Sequence, residues 1–170
     1  MSVPAAWLVE HASLLPLEGQ ALDVASGGGR HALWLAGRGL TTLAVDRNPE
    51  AVQTVNEEAR ARQLPLVAEV RDLERGGNPF PRSTYDVIVV VHYLHRPLFP
   101  ALIDALAPGG LLVYETFTRA QAARGKPTNP DFLLESGELL DLVRPLDILA
   151  SREGDYDGRM VASVVARRRP

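Results

Sequence analysis

A turn of three glycines, Gly27-Gly28-Gly29, joins an apolar run to an amphipathic segment near the start of the chain. Glycine permits both a strained turn and a close approach of the backbone to a ligand, because it has no side chain. Asp46 stands at the end of the next apolar run, where a carboxylate could accept hydrogen bonds from ribose hydroxyls. These residue types in this order predict a small-molecule site beyond the end of the first strand.

Two cofactors compete for this turn. Residues 27–32 fit the dinucleotide pattern G-x-G-x-x-A, in which Asp46 would hold a ribose hydroxyl. S-adenosylmethionine is favoured by Asp23 within the turn, by Asp72 just after the third apolar run, and by the lack of a second domain to present an oxidoreductase substrate. Asp46 alone does not discriminate between the two cofactors.

Candidate groups for methyl transfer follow the fourth and fifth apolar runs. His92 could remove a proton from a thiol or hydroxyl near neutral pH, and Tyr93 could supply a wall or a hydrogen-bond donor. Glu115 lies near the end of the fifth run and is the third candidate catalytic residue. The alternative for His92 is a structural hydrogen bond at a strand end. Methyl transfer from a sulfonium requires alignment and exclusion of water more than it requires a base.

An irregular segment at residues 118–134 is longer than the usual connection in a compact domain, and it is predicted to be a substrate lid. Arg119 and Arg124 place positive charge there, which indicates an anionic small substrate; the alternative is that both are solvated loop charges. His95 is the third residue expected to bind substrate. His92 and His95 are three positions apart, but no third ligand has suitable spacing and the chain has no cysteine, so no metal is predicted.

The elements that would position these residues alternate between apolar strand-like runs and helix-like segments, which predicts an α/β, Rossmann-like, doubly wound fold in one domain over residues 1–170. Residues 1–20 are expected to form an N-terminal helical cap. The sheet is expected to have seven mostly parallel strands and to close with an antiparallel hairpin around a turn at 154–158. Predicted parallel strands cover residues 21–24, 41–45, 66–70, 85–91 and 111–117, with helices at 31–36, from Asn48 onward, around 99–106 and at 136–143.

Composition narrows the class of partner. The chain has 170 residues, a net charge of −3 and no cysteine, and its pI is near 5.8. The chain has no excess of positive charge that would favour nucleic acid as a partner. No apolar run approaches the ~20 residues that a membrane helix needs. The absence of cysteine fits a reducing cytoplasm, and the first residues lack the pattern of a signal peptide. A small-molecule partner is expected, and the sequence does not indicate an oligomeric state.

The motifs together resemble those of the class I S-adenosylmethionine-dependent methyltransferases. The resemblance rests on the D-x-A-x-G-x-G turn at 23–29, on Asp46 and Asp72, and on Pro108-Gly109-Gly110 before the fifth strand. Residues 29–33, 114–117 and 129–134 are similar to segments of small bacterial proteins related to tellurite-resistance methyltransferases. One difference is Ala25, which stands where the superfamily usually has its first glycine.

The resemblance implies a role for each cofactor-binding residue. Asp46 would accept hydrogen bonds from both ribose hydroxyls, Asp72 would bind the adenine amine, and the backbone of Leu73 would contact the adenine edge. The turn backbone would hold the amino-acid part of the cofactor, with Asp23 behind it. The N-terminal segment with Trp7 would lie across the cofactor mouth; the alternative for the Trp7 side chain, which the sequence favours, is packing in the core. The full expected set is Asp23, Ala25, Ser26, Gly27, Gly29, Asp46, Arg47, Asp72, Leu73 and His92. The alternative for Arg47, which the sequence favours, is a solvent-facing position.

The sequence therefore predicts an enzyme that transfers a methyl group from S-adenosylmethionine to a small-molecule nucleophile, such as a thiol or a chalcogen oxyanion. A nicotinamide-dependent oxidoreductase and a cofactor-binding module without catalysis are the alternatives. Fold alone does not identify the acceptor.

Overall fold

The computed structural model describes residues 2–170, so only Met1 of the predicted domain and N-terminal cap lies outside it. One seven-stranded sheet has the strand order β3-β2-β1-β4-β5-β7-β6. The first five strands are parallel, while β7 runs antiparallel to β5 and β6. The strands are β1 Gln20–Val24, β2 Thr41–Asp46, β3 Leu66–Val70, β4 Tyr85–Val91, β5 Leu106–Phe117, β6 Asp147–Tyr156 and β7 Arg159–Arg167. The predicted fold class is confirmed.

Five α-helices and four 3-10 turns connect the strands within the described residues. The helices are α1 Ala6–Glu10, α2 Arg30–Gly37, α3 Pro49–Ala61, α4 Phe99–Ala105 and α5 Glu138–Leu142. The 3-10 turns are Ala12–Leu14, Arg96–Leu98, Arg119–Ala123 and Pro130–Phe132. Among residues 2–170 there is no helix with both the length and the apolar character needed to cross a membrane.

Strand β4 lies at the centre of the sheet and is covered on both faces. Val87 and Val89 point towards α1 and α2 and pack with Trp7 and Leu35, whereas Ile88 and Val90 point towards α4 and α5. The non-alternating apolar run predicted this, because a parallel strand buried on both faces needs no polar side. The carboxyl end of β4, with His92, therefore lies between the face covered by α1 and α2 and the face covered by α4 and α5.

Helix α3 begins as its sequence predicts. The Asn48 side chain accepts hydrogen bonds from the backbone N–H groups of Glu50 and Ala51, at 3.0 and 3.4 Å, and Pro49 occupies the first turn. The capped start fixes the chain directly after Asp46. This arrangement matters to the site because Asp46 is the residue at which β2 ends.

Several predicted boundaries were wrong. Strand β5 starts at Leu106, not 111, because the backbone through Gly109-Gly110 continues the strand; a Cβ on Gly110 would lie 2.7 Å from the Tyr85 carbonyl oxygen. The hairpin turn is only Asp157-Gly158, both with positive φ, so β6 extends to Tyr156. Helix α5 starts at Glu138, because the Ser136 hydroxyl donates to Glu153 instead of capping the helix.

Candidate functional site

A cavity of about 350 Å³ opens at the carboxyl ends of the parallel strands. This is the edge at which open α/β sheets bind ligands. Six of the residues predicted to bind the cofactor line it together, namely Ala25, Asp46, Arg47, Asp72, Leu73 and His92. These residues follow four different strands, so the fold assembles them from separate parts of the sequence.

The glycine turn adopts the left-handed backbone conformation at three positions, with φ of 54° at Ala25, 52° at Gly27 and 80° at Gly29. Ala25 keeps this conformation despite its Cβ, which stores backbone strain at the cavity. A Cβ on Gly27 would meet nothing within 4 Å, whereas one on Gly29 would lie 2.6 Å from the Val55 side chain. Gly27 therefore leaves open space over the turn, and Gly29 permits close packing against α3.

Asp46 is oriented by the backbone around it. One carboxylate oxygen accepts from the Gly27 N–H at 2.8 Å, and the other accepts from the Asn48 N–H at 2.9 Å. Each oxygen retains acceptor capacity, because a carboxylate oxygen accepts more than one hydrogen bond. Asp46 thus links the glycine turn to the start of α3 and still presents two acceptors at the cavity.

Asp23 and Ser26 lie behind the turn, not on the cavity surface. The Asp23 carboxylate is buried and accepts from the Ala32 N–H at 3.0 Å. Burial raises the pKa of Asp23 to about 7, although that hydrogen bond and the nearby Arg30 charge oppose the rise. The Ser26 hydroxyl is buried without a hydrogen-bond partner, which leaves a polar atom available next to the turn.

Asp72, Leu73 and Arg47 form the far end of the cavity. The Asp72 carboxylate accepts from the Glu74 N–H at 3.0 Å and pairs with Arg75 at 3.1 Å. The Glu74 hydrogen bond, helped by Arg75, holds the pKa of Asp72 below its usual value. Asp72 is therefore an acceptor at neutral pH, and Arg47 is exposed at the rim.

His92 lies where this cavity meets a second one. Its backbone has a φ of 58°, and its ring stacks on Phe117 with the ring centroids 4.5 Å apart. Burial lowers the pKa of His92 to about 4, and the charges of Arg159 and Arg30 lower it further. The imidazole is therefore uncharged at neutral pH, so it does not repel a cationic ligand.

Tyr93 lines the first cavity beside His92. Its hydroxyl lies 3.5 Å from a Glu74 carboxylate oxygen, and its backbone carbonyl accepts from the Tyr114 hydroxyl at 2.5 Å. Burial and the Glu74 charge raise the pKa of Tyr93. The Tyr93 phenol therefore stays protonated at neutral pH, so it can form an uncharged wall of the cavity or donate a hydrogen bond.

A second cavity, of about 370 Å³, lies on the other side of His92. We call it the cationic cavity, because Arg30, Arg152 and Arg159 all line it. Glu115, Tyr156 and Asp157 also line it, and N-terminal residues 3–6 lie against it. Arg152 lies 3.3 Å from Glu115 and 3.8 Å from Glu10, so the positive balance of this cavity comes from Arg30 and Arg159. Sequence reasoning missed the arginines, because only the hairpin and the start of α2 bring them together.

Arg152 is held in this cavity by stacking and by charge. Its guanidinium lies 3.8 Å from the Tyr156 ring centroid and 4.8 Å from that of Trp7. Glu115 accepts from Arg152 at 3.3 Å and from the Ser163 hydroxyl. Glu115, expected from the sequence to be catalytic, is therefore buried as the partner of Arg152.

The N-terminal segment closes one side of the cationic cavity. Arg30 donates to the Val3 carbonyl at 3.1 Å, and the Ala5 N–H donates to His31 Nε2 at 3.1 Å. Trp7 itself is buried in the core, where its indole N–H donates to the Val164 carbonyl. The segment before Trp7, not the indole, therefore borders the cavity.

The structure does not bring the three expected substrate-binding residues to either cavity. Arg119 pairs with Glu135 at 2.8 Å, Arg124 pairs with Asp155 at 2.6 Å, and His95 lies 3.8 Å from Glu74. The loop arginines face carboxylates of neighbouring segments. The loop at 118–134 contributes two apolar side chains, Pro127 and Phe132, to the first cavity. Among residues 2–170, no cluster of three or more metal-ligating side chains is present.

Comparison with known proteins agrees with this geometry. A family profile described as a methyltransferase domain matches residues 21–110, which is more than half of the 170-residue chain. A search of curated proteins gives no significant match.

Solved structures with the same fold include TehB from Haemophilus influenzae, with a TM-score of 0.84 and 18% identity. The match covers 99% of this chain and 64% of that one, so this chain spans less than two thirds of that protein. A methyltransferase from Methanosarcina mazei gives 0.76 at 17% identity, with 99% of both chains covered. Geranyl diphosphate C-methyltransferase from Streptomyces coelicolor A3(2) gives 0.75 at 14% identity, with 95% of this chain and 78% of that one covered.

The strand order and the glycine turn after β1 define a class I methyltransferase fold. The chain belongs to the methyltransferase domain family, and its fold is that of the class I, S-adenosylmethionine-dependent methyltransferases. S-adenosylmethionine is accordingly the cofactor, which confirms the prediction and decides against the nicotinamide alternative. The similarity to TehB agrees with the finer resemblance predicted from the sequence.

Proposed function

We propose that this chain transfers the methyl group of S-adenosylmethionine to a small anionic nucleophile bound in the cationic cavity. The observation that carries the proposal is the position of His92, which lines both cavities. A cofactor in the first cavity and an acceptor in the second would meet at this residue. In-line displacement needs such a meeting point, with the reacting atoms about 3 Å apart.

The cofactor is assigned to the first cavity residue by residue. Asp46 accepts hydrogen bonds from the ribose hydroxyls, Asp72 binds the adenine amine, and the Leu73 backbone contacts the adenine edge. Arg47 lies at the rim beside the ribose. The backbone of residues 25–29, with Asp23 and the Ser26 hydroxyl behind it, holds the amino-acid part. This orientation directs the sulfonium towards His92.

The electrostatics of His92 support an acceptor that arrives already ionised. A pKa of about 4 makes His92 a weak base, whereas an ordinary thiol has a pKa of about 8.5. Proton transfer from a thiol to His92 is uphill by roughly four pKa units. Its role is instead to stay uncharged beside the sulfonium and to align the nucleophile. Tyr93 forms the adjoining wall.

The arginines of the cationic cavity supply the recognition. Arg152 and Arg159 face the acceptor as hydrogen-bond donors, and Glu115 holds Arg152 in place. The nucleophile's lone pair forms the new bond to the methyl carbon, and the breaking C–S pair stays on sulfur as the sulfonium becomes a thioether. A chalcogen oxyanion, or the thiolate form of a thiol that carries a carboxylate, meets these requirements.

The experiment compares a charged and a neutral thiol of similar size, mercaptoacetate and 2-mercaptoethanol, together with selenite and tellurite. We expect kcat/KM to favour mercaptoacetate over 2-mercaptoethanol by roughly tenfold or more, as expected for charge-assisted hydrogen bonds. Arg159→Gln should remove most of this preference without changing the affinity for S-adenosylhomocysteine. Arg82→Gln is the control, because Arg82 is exposed before the amino end of β4.

Equal kcat/KM for the two thiols would contradict the anionic acceptor. Binding of S-adenosylhomocysteine without turnover of any acceptor in the panel would favour the remaining alternative, a cofactor-binding module without catalysis.

A further inference from the structure

The segment at residues 129–134, which the sequence singled out and the proposed function leaves unused, has a defined construction. The Asn129 side chain accepts from the Asp131 N–H at 2.9 Å, and a 3-10 turn follows over Pro130–Phe132. Leu133 and Leu134 are 1% and 0% exposed, whereas Phe132 is 49% exposed. The turn thus buries two leucines as anchors and leaves one large aromatic side chain outside the core.

The exposed ring borders the first cavity. Phe132 lines it together with Asp46, Asp72 and Leu73, and it does not line the cationic cavity. A phenyl ring at the wall of a cavity can stack on the flat face of a bound heterocycle. Its companions in the cavity include the residues assigned to the ribose and adenine, together with His92, Tyr93 and Phe117 from the ends of β4 and β5.

The backbone on both sides of Phe132 is fixed to the rest of the molecule. The Arg96 guanidinium donates to the carbonyls of Asp131 and Leu133, at 3.3 and 2.9 Å. It also forms a two-pronged pair with Glu138, at 2.5 and 2.9 Å. A planar guanidinium can satisfy these acceptors together, which an ammonium cannot do.

The base of the segment is also held. The Leu134 N–H donates to the Phe117 carbonyl, and the Arg119 N–H donates to the Leu134 carbonyl, both at 2.9 Å. Phe132 therefore projects from a segment that is tied to the end of β5 and to the 3-10 turn Arg96–Leu98, which follows β4. This construction specifies the position of one apolar side chain at the cavity.

We propose that Phe132 is a cofactor-binding residue that contacts the adenosine part of bound S-adenosylmethionine, and that Arg96 is its positioning residue. The inference rests on the proposed placement of the cofactor in the first cavity. The sequence-based expectation gave the loop to the substrate. Here its contact is with the cofactor, because the cavity that Phe132 borders is the one with the ribose and adenine residues.

The test measures the affinity of S-adenosylhomocysteine and of 5′-methylthioadenosine, which lacks the amino-acid part, by isothermal titration calorimetry. Phe132→Ala should weaken both ligands by roughly tenfold, the scale of base–aromatic stacking, and should speed their dissociation. Phe132→Tyr should retain the affinity of both. Leu149→Ala is the control, because Leu149 is a similarly exposed apolar residue on β6 outside both cavities.

The role of Arg96 is tested by a double-mutant cycle. Arg96→Lys keeps the positive charge but loses the planar guanidinium that binds several acceptors at once. It should weaken S-adenosylhomocysteine binding in the parent chain. In the Phe132→Ala background it should have no further effect. Equal weakening in both backgrounds would overturn the positioning role.

Two results would overturn the contact itself. One is a Phe132→Ala variant whose affinity stays within about twofold of the parent while Asp46→Ala loses binding, which would leave the cofactor placement intact. The other is weaker binding of S-adenosylhomocysteine alone, which would place Phe132 at the amino-acid end. If Asp46→Ala binds normally, the cofactor placement and this inference both fail.

Discussion

Asp46 is held by two backbone N–H groups before any cofactor binds, and its oxygens still have acceptor capacity at the cavity. We expect Asp46→Ala to weaken S-adenosylhomocysteine binding by ~100-fold or more, because two charge-assisted hydrogen bonds to the ribose are lost. Calorimetric titration measures the loss, and circular dichroism checks that the fold is kept. Asp141→Ala, at an exposed carboxylate on α5, should bind normally. Unchanged affinity in Asp46→Ala would show that the ribose binds elsewhere.

His92 provides an electrostatic test of the junction between the cavities. NMR titration of its ring protons should give a pKa of about 4, well below that of an exposed histidine. Arg159→Gln should raise this pKa, because the Arg159 charge opposes protonation of the ring. Arg82→Gln should leave it unchanged. A His92 pKa near 6.5 in the parent chain would remove the argument for an acceptor that arrives ionised.

At the scale of single residues, the sequence predicted the cavity residues that stand at or just after the end of a strand. Asp46, Asp72 and His92 each follow an apolar run, and parallel strands bring their carboxyl ends to one edge. Arg152 and Arg159 gave no comparable signal, because the local sequence of a hairpin does not show which distant residues will lie beside its arginines.

At the scale of elements, two neighbouring glycines of the turn differ in whether the surrounding structure leaves room for a Cβ. Gly29→Ala should lower the free energy of unfolding by ~1–3 kcal/mol, because its Cβ would overlap the Val55 side chain and its φ is 80°. Gly28→Ala, where a Cβ meets nothing within 4 Å and the φ is not positive, should be close to neutral. Urea denaturation compares the two variants. Equal effects would mean that packing against α3 does not set the identity of residue 29.

The sequence predicted the order and type of the elements better than their ends. The capped start of α3 was correct because the signals that set it, Asn48 and Pro49, act within one turn. The predicted start of β5 was wrong because Tyr85, at the start of β4, pairs with Leu106, which precedes the two glycines. The predicted start of α5 was wrong because the Ser136 hydroxyl donates to Glu153. Long-range partners decided both boundaries.

At the scale of the whole molecule, one buried histidine, one half-buried histidine and one buried aspartate couple stability to pH in opposite directions. Burial lowers the pKa of His31 to about 3 and that of His92 to about 4, so each binds fewer protons in the folded than in the unfolded state. Burial raises the pKa of Asp23 to about 7, so it binds more protons in the folded state. Stability from the histidines is lost as pH falls below 6.5, and stability from Asp23 is lost as pH rises through 7.

From pH 6.5 to 4 the two histidines outnumber the one aspartate, so we expect the free energy of unfolding to fall as the solution is acidified. His31→Gln keeps a side-chain acceptor for the Ala5 N–H and removes one titrating group. This variant should reduce the slope by up to about 1.4 kcal/mol per pH unit. Urea denaturation at several pH values measures the slopes. The same slope in His31→Gln and the parent chain would contradict the buried, uncharged state of His31.

The sequence by itself determined the fold class, the cofactor and several of the first cavity's polar residues, Asp46, Asp72 and His92 among them. Strand periodicity, a glycine turn and polar residues at strand ends are local patterns. Only the tertiary structure decided where the positive charge and the exposed aromatic ring lie. It paired Arg119 and Arg124 with carboxylates, placed Arg152 and Arg159 beside His92, and brought Phe132 to the first cavity. The physical reason is that a charge or a ring acts through its neighbours, and those neighbours are set by antiparallel pairing and loop packing across long stretches of chain.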